Sequence, residues 1–450
     1  MMASASEQLA SSFNLETLSK ATDLKKRIWF TLGALIVFRL GTYIPIPGVD
    51  PTVMEHMLAQ NGGGVLGMFN MFTGGALGRM TVFALNIMPY ISASIIMQLL
   101  QAAVPTLETL KKEGASGQQK LNQYTRYMTV FIALAQSYGI AIGLEHITSA
   151  VGPAVIEPGG FFLITTIITL TGGTVFLMWI GEQITSRGIG NGSSLIIFAG
   201  IVSAFPGAIA SVLQLGATGG LSTGFVIGFF IMALVVVAFV VFMERAQRRV
   251  LVQYPKRQVG NRMFGGDSSH LPMKVNTSGV IPPIFASSLL LLPVTIVGFS
   301  HGTGPAWLQF LARQLSNGQP GYMILYAALI IFFSYFYTAV VFNPEETADN
   351  LKKYGGFVPG IRPGANTAKY FDTVLTRLTT IGAGYLVIVC LIPQFLIGQF
   401  DLAAGYYFGG TSLLIVVSVT MDTVAQIQSH LLAHQYEGLI RKGRGRTRTR

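Results

Sequence analysis

His430 and His434 stand four residues apart. That spacing puts two imidazoles on one helix face, where they could ligate a divalent metal. No acidic partner follows at motif distance and the other histidines are dispersed, so the pair reads as helix surface. The run GIGNG at 188–192 has the glycines of a phosphate-cradling loop. It lacks the full fingerprint and follows an apolar span instead of a strand, so it reads as the flexible start of the next span. Cys390 is the single cysteine, which excludes an internal disulfide and a cysteine-based metal cluster. These residues point to no catalytic site, no metal and no cofactor.

The pattern that remains is apolar. Residues 86–96 read NIMPYISASII, with Ile87, Ile91 and Ile95 spaced by four and therefore on one helix face. An Asn, a Pro and two Ser interrupt what hydropathy alone would assign to a membrane span. Periodicity by itself favours isoleucines that pack against neighbours or lipid.

The elements that carry this ladder are membrane spans. Only 11% of the 450 residues are charged and 51% are hydrophobic, whereas a soluble chain carries about 25% charged residues. Ten spans are expected, at 28–45, 82–103, 127–145, 160–182, 193–213, 223–243, 276–298, 322–342, 378–398 and 407–427. Lys25, Lys26 and Arg27 precede a full-length span, so the first span is expected to stay as an anchor. With the N-terminus in the cytoplasm, 27 of the 30 basic residues fall on cytoplasmic segments, and an even span count returns the C-terminus to the same side. The expected organisation is a cytoplasmic segment 1–27, an N-terminal half 28–213, a C-terminal half 223–427 and a basic cytoplasmic tail 428–450. Five spans per half is odd, so the halves enter the membrane with opposite orientation, the arithmetic of an inverted repeat. The fold class is thus an all-α polytopic membrane protein of ten transmembrane helices in two inverted five-helix halves.

Residues 61–78, NGGGVLGMFNMFTGGALG, fit neither span nor solvated loop. They are too short and glycine-broken to cross, yet Val65, Leu66, Met68, Phe69, Met71 and Phe72 are too apolar for water. A short re-entrant helix tucked into the protein centre satisfies both constraints; an interfacial helix is the alternative, without the Lys/Arg face that would support it. No span has an ionisable residue near its middle, since Arg39, Glu182 and Asp422 fall toward span ends. That counts against an ion-coupled transporter. The basic loops 244–275 and 343–377 far exceed common connections of about 4–6 residues, and suit a large anionic partner.

IMPYISASI at 87–95, PTLETLKKEGASGQQK at 105–120, QYTRY at 123–127, GIGNGSSLIIFAGI at 188–201 and HLPMKVNTSGVIPPIFASS at 270–288 closely resemble the bacterial SecY channel family. So do FVPGIRPG at 357–364, YFGGTSLLIVVSV at 407–419 and QYEGLIRK at 435–442. The resemblance implies a protein-conducting channel of the bacterial inner membrane, without a catalytic site. Its halves surround a central pore, are clamped by SecE and are accompanied by SecG. Ribosomes or the ATPase SecA would dock on the cytoplasmic loops. Unfolded secretory polypeptides would cross, while signal sequences and membrane segments would leave for the lipid through a lateral gate between spans 2 and 7.

Residue by residue, the resemblance implies a pore ring of Ile87, Ile91, Ile197, Ile284 and Ile415. Ser193 stands where the family often has an aliphatic member, and a hydroxyl there could leave the waist wetter. The segment around 64–74 resembles the plug, with Val65, Leu66, Met68, Phe69, Met71 and Phe72 as its apolar residues. Ser92, Asn276 and Leu292 would belong to the gate, and Arg257 and Arg362, assisted by Arg245, to partner docking. An inverted-repeat small-solute transporter is the rival architecture.

Overall fold

The computed structural model describes residues 22–54, 70, 72–145, 148–149, 152–218, 222–254, 257–259, 262–264, 268–299, 320–400 and 410–447. Side chains are described throughout these segments except at 148–149, 215, 257–259, 262–264, 291–299, 393–400 and 433–447. Of the expected plug residues only Phe72 is among them; Val65, Leu66, Met68, Phe69 and Met71 lie outside. Leu292 falls on a described helix and Arg257 on a described strand, their side chains outside.

Ten helices overlap the ten expected spans. They are α1 (Thr22–Gly41), α2 (Met88–Ala103), α3 (Ala115–Glu145), α4 (Gly160–Arg187), α5 (Gly192–Ala217), α6 (Thr223–Arg245), α7 (Ile281–Phe299), α8 (Pro320–Val341), α9 (Ala365–Phe400) and α10 (Gly410–Thr447). Among the described residues, seven helices are long and apolar enough to cross a bilayer unaided. Counting α2 and the bent helix after it as one span makes eight, against the ten expected. α1 misses because Lys25, Lys26, Arg27 and Arg39 load its ends. The described apolar stretch of α7 is the short Ile281–Leu290.

Local chemistry sets the helix ends. Pro89 sits in the first turn of α2, where its missing N–H costs nothing. Val104 ends the helix at φ −110°, ψ 113°, the extended geometry that the following proline imposes. The helix Pro105–Lys112 then departs at 99°. With 16 residues α2 is about 24 Å long, short of the ~30 Å hydrocarbon core. The turns at 73–87 before it are buried or half-buried throughout, as irregular backbone at that depth must be. At α5, Asn191 caps the helix by accepting from the Ser193 N–H.

α6 is apolar all round and buries only Val226 and Val240. Leu234 and Phe242 are 70% and 71% exposed, which water would not favour and lipid does. Most packing runs within α1–α5 or within α6–α10. The two groups meet where α7 lies against α2 and α3, and where α10 lies against α5 and α1.

The largest departure from an all-helical fold is in the long loops; a smaller one is the two-residue pairing of Thr148–Ser149 with Gly152–Pro153. Gln247–Gln253 pairs antiparallel with Ser268–Lys274. Val250 and Val252, two residues apart, are buried on one face of the hairpin, with the exposed Leu251 between them and the exposed Arg248 and Arg249 before them. Gln253 and Phe357 exchange both backbone hydrogen bonds at 2.9 Å, which joins this hairpin to the second long loop. Val250, Met273, Val358, Phe371 and Leu375 form the apolar cluster beneath that junction. The two long basic loops thus form one packed body.

Candidate functional site

The isoleucines come together from four helices. Ile87 and Ile91 of α2, Ile197 of α5, Ile284 of α7 and Ile415 of α10 are all buried, and all belong to one apolar cluster. Each such side chain withdrawn from water contributes about 1.5–3 kcal/mol, so the cluster holds itself closed without a polar contact. Ile87, Ile91, Ile197 and Ile284 also line a cavity of about 740 Å³. Ile415, fully buried, packs in the cluster without lining it.

The remaining cavity wall is mainly amide and hydroxyl: Ser94, Gln98, Gln101, Asn122, Asn191 and Ser194 are among its residues. Arg126 and Glu182 lie on it as well, paired through two hydrogen bonds of 2.8 and 2.7 Å between α3 and α4. Their side chains are 49% and 28% exposed, so the pair contributes at most about 1 kcal/mol and mainly fixes geometry. On the adjoining short helix the hydrogen bond from Lys112 to Glu108, 2.7 Å long, holds that carboxyl below its ordinary range. Apart from Lys111 and the Arg126–Glu182 pair, the wall is uncharged and polar over an apolar floor.

Ser193 also lines the cavity, but its hydroxyl is not free. Its Oγ donates to Asn191 Oδ1 at 2.7 Å, inside the cap of α5. The helix cap therefore occupies the polar group that would otherwise wet the waist.

At the seam between α2 and α7, Ser92 is buried and Ser288 Oγ lies 3.6 Å from Met88 Sδ. A thioether is a weak acceptor, so this contact parts at low cost. Asn276 faces elsewhere: its Nδ2 donates to Glu244 at 2.7 Å and to the Gly279 carbonyl at 3.1 Å, tying the start of α7 to the end of α6. Arg245 and Arg362 are exposed, and Arg257 begins the strand Arg257–Val259.

Behind the ring, the turn after Phe72 is anchored by residues that sequence reasoning left without a role. Gly74 has φ +67° and its carbonyl accepts from Arg39 at 2.9 Å and Arg79 at 3.2 Å. Both guanidiniums also lie against the Tyr43 ring, at 5.1 and 4.2 Å from its centroid. Arg39 and Arg79 stood out in the sequence only as basic residues off the cytoplasmic side. Asn70 Oδ1 accepts from the Gly78 N–H at 2.7 Å, and α5 presses in so closely that a Cβ at Gly200 would stand 2.5 Å from the Phe72 carbonyl oxygen.

The comparisons with known proteins decide the family. The SecY family model matches residues 81–424. The chain belongs to the SecY family. It is 56% identical, over 93% of its length and 96% of the relative's, to the protein translocase subunit SecY of Rickettsia conorii. Its fold resembles a solved SecY whose plug domain stabilises the closed state of the translocation channel, with TM-score 0.63 and 18% identity over 90% of this chain and 92% of that one. It also resembles Sec61 in the canine ribosome-channel complex from the endoplasmic reticulum, with TM-score 0.61, 18% identity and the same coverage. At such identities the two structures speak for the fold alone, and the fold is that of the SecY and Sec61 channels.

Within this SecY-family fold, the close approach at Gly200 gives a test of the anchored turn. Gly200→Ala should destabilise the protein by about 1–3 kcal/mol, because the methyl group must push the Phe72 backbone aside. Gly207→Ala, on the same helix with nothing within 4 Å of its Cβ, should be neutral or stabilising by up to about 1 kcal/mol. Thermal unfolding of the two purified variants reads the difference, and equal midpoints would remove the steric argument.

Proposed function

We propose that this SecY-family translocase subunit forms the pore of a protein-conducting channel, with the isoleucine cluster as its waist and the segment around 64–74 as its plug. The observation that carries this is the convergence of Ile87, Ile91, Ile197, Ile284 and Ile415 in one buried cluster beside a polar-walled cavity of about 740 Å³. Unfolded secretory polypeptides would pass the waist, where aliphatic walls resist ions by dewetting and make no specific hydrogen bonds. Signal sequences and membrane segments would leave for the lipid between α2 and α7, with Ser92 and Leu292 on the two sides of the seam. Asn276 would act by anchoring the start of α7. Ser193 would contribute to the waist through its methylene, its hydroxyl being engaged. The chain would work as two halves, 28–213 and 223–427, in the bacterial inner membrane with both termini cytoplasmic, as the basic-residue asymmetry favours.

SecE and SecG would accompany it. Ribosomes and SecA would dock on the body formed by the two long loops, through Arg245, Arg257 and Arg362; the canine relative occurs in a complex with a ribosome. The chain is a channel subunit and not an enzyme. The pairing of Arg126 with Glu182 leaves neither as an isolated coupling charge on the cavity wall, which speaks against a small-solute transporter.

Two experiments check these assignments. In a Cys390→Ala background, Met88→Cys with Ser288→Cys joined by a short thiol cross-linker should abolish transport of a secretory precursor, and a long flexible linker should preserve it. Full transport after quantitative short cross-linking would rule out this seam as the gate. For docking, Arg257→Glu and Arg362→Glu should each weaken ribosome binding about tenfold and make its remaining loss with salt shallower. Val358→Asp removes neither arginine but puts a carboxylate into the cluster under the loop junction, and should weaken binding as well. Unchanged binding by all three variants across a salt titration would show that ribosomes do not use this body.

A further inference from the structure

Asn86, immediately before the first ring isoleucine, has φ +50°, in the left-handed region that asparagine tolerates better than most residues with a Cβ. The residue is 1% exposed, and its amide is bonded at both ends. Nδ2 donates to the carbonyl of Phe72 at 2.9 Å, and Oδ1 accepts from the N–H of Ile87 at 2.8 Å. The turn into α2 accounts for the second bond, a local contact with the N–H of the adjacent residue Ile87. It does not explain the first, which reaches back 14 residues to the base of the plug. Nor does the backbone require it, since glycine would adopt the same φ.

We propose that Asn86 is a positioning residue that ties the plug base to the waist. Displacing the plug then breaks a bond on the same side chain that orients Ile87. The tie rests on the pore-and-plug function proposed above. Phe72 also lies against the backbone of α5 at Gly200, so Asn86 and α5 both bear on the position of its carbonyl. The bonds lie in a buried site, where a group deprived of its partner carries its full desolvation cost. Plug and ring would therefore open together, and a plug that merely wobbles would not loosen the seal.

Asn86→Gly tests the tie, because glycine takes φ +50° without a Cβ penalty and loses only the amide. The probes are the N–H groups of Gly75, Leu77 and Gly78, whose own acceptors are on Asn70 and Thr73 and not on Asn86. In the full chain reconstituted in lipid, their hydrogen exchange should accelerate about five-fold or more in the variant. Exchange in the body of α9 should stay as in the unaltered protein, and resting ion conductance should rise. Unchanged exchange at those three amides overturns the tie, whatever the conductance. Faster exchange with unchanged conductance keeps the tie and counts instead against the isoleucine cluster as the seal.

Discussion

A waist that excludes water and ions yet admits any unfolded chain can be built only from side chains that neither donate nor accept hydrogen bonds. That constraint organises the rest of the molecule. In the proposed channel, Ile87 just before α2 and Ile91, Ile197, Ile284 and Ile415 on α2, α5, α7 and α10, which share one buried cluster, would meet it. Because they attract one another only through burial and dispersion, position must come from elsewhere. Several polar groups around them are paired: Ser193 with Asn191, Asn86 with Phe72 and Ile87, and Arg126 with Glu182.

The helices follow from the same requirement. α2 carries two ring residues and starts abruptly beside the first, because a left-handed Asn86 turns the chain and Pro89 fits the opening turn. It stops abruptly at Val104, so the chain bends away before it could reach across the bilayer on its own. α7 faces α2 through a weak thioether contact, while its N-terminal end is held firmly to α6 through Asn276 and Glu244. A seam with one weak side and one fixed end can widen without losing the helix. In the loops, the Gln253–Phe357 pairing makes one packed body from two segments just over one hundred residues apart.

What was legible in the sequence followed from period and composition. The span positions came from apolar runs, the shared face of Ile87 and Ile91 from their spacing of four, and the grouping of Ile197, Ile284 and Ile415 with them from the motif resemblance alone. Contacts between distant residues were not legible. Nothing local to Asn86 signals that Phe72 is its partner, and nothing in loop 343–377 announces a strand partner at Gln253. The hairpin was visible in principle as alternation in QRRVLVQ, but arginine density drew attention to charge. Ser193 was read as an open hydroxyl because its cap depends on where Asn191 points. The count of ten crossings was harder to secure than the ten helices, because α1 is charged at its ends and α2 is short.

The central claim is that the aliphatic waist is the barrier. The most direct measurement is single-channel conductance of the resting protein in a planar bilayer with Ile91 and Ile415 both changed to Asn. Amides at the waist would hold water there, so resting conductance should rise well above that of the unaltered protein while the channel still assembles. A folded, correctly assembled double variant as tight as the unaltered protein would contradict the claim and place the barrier elsewhere.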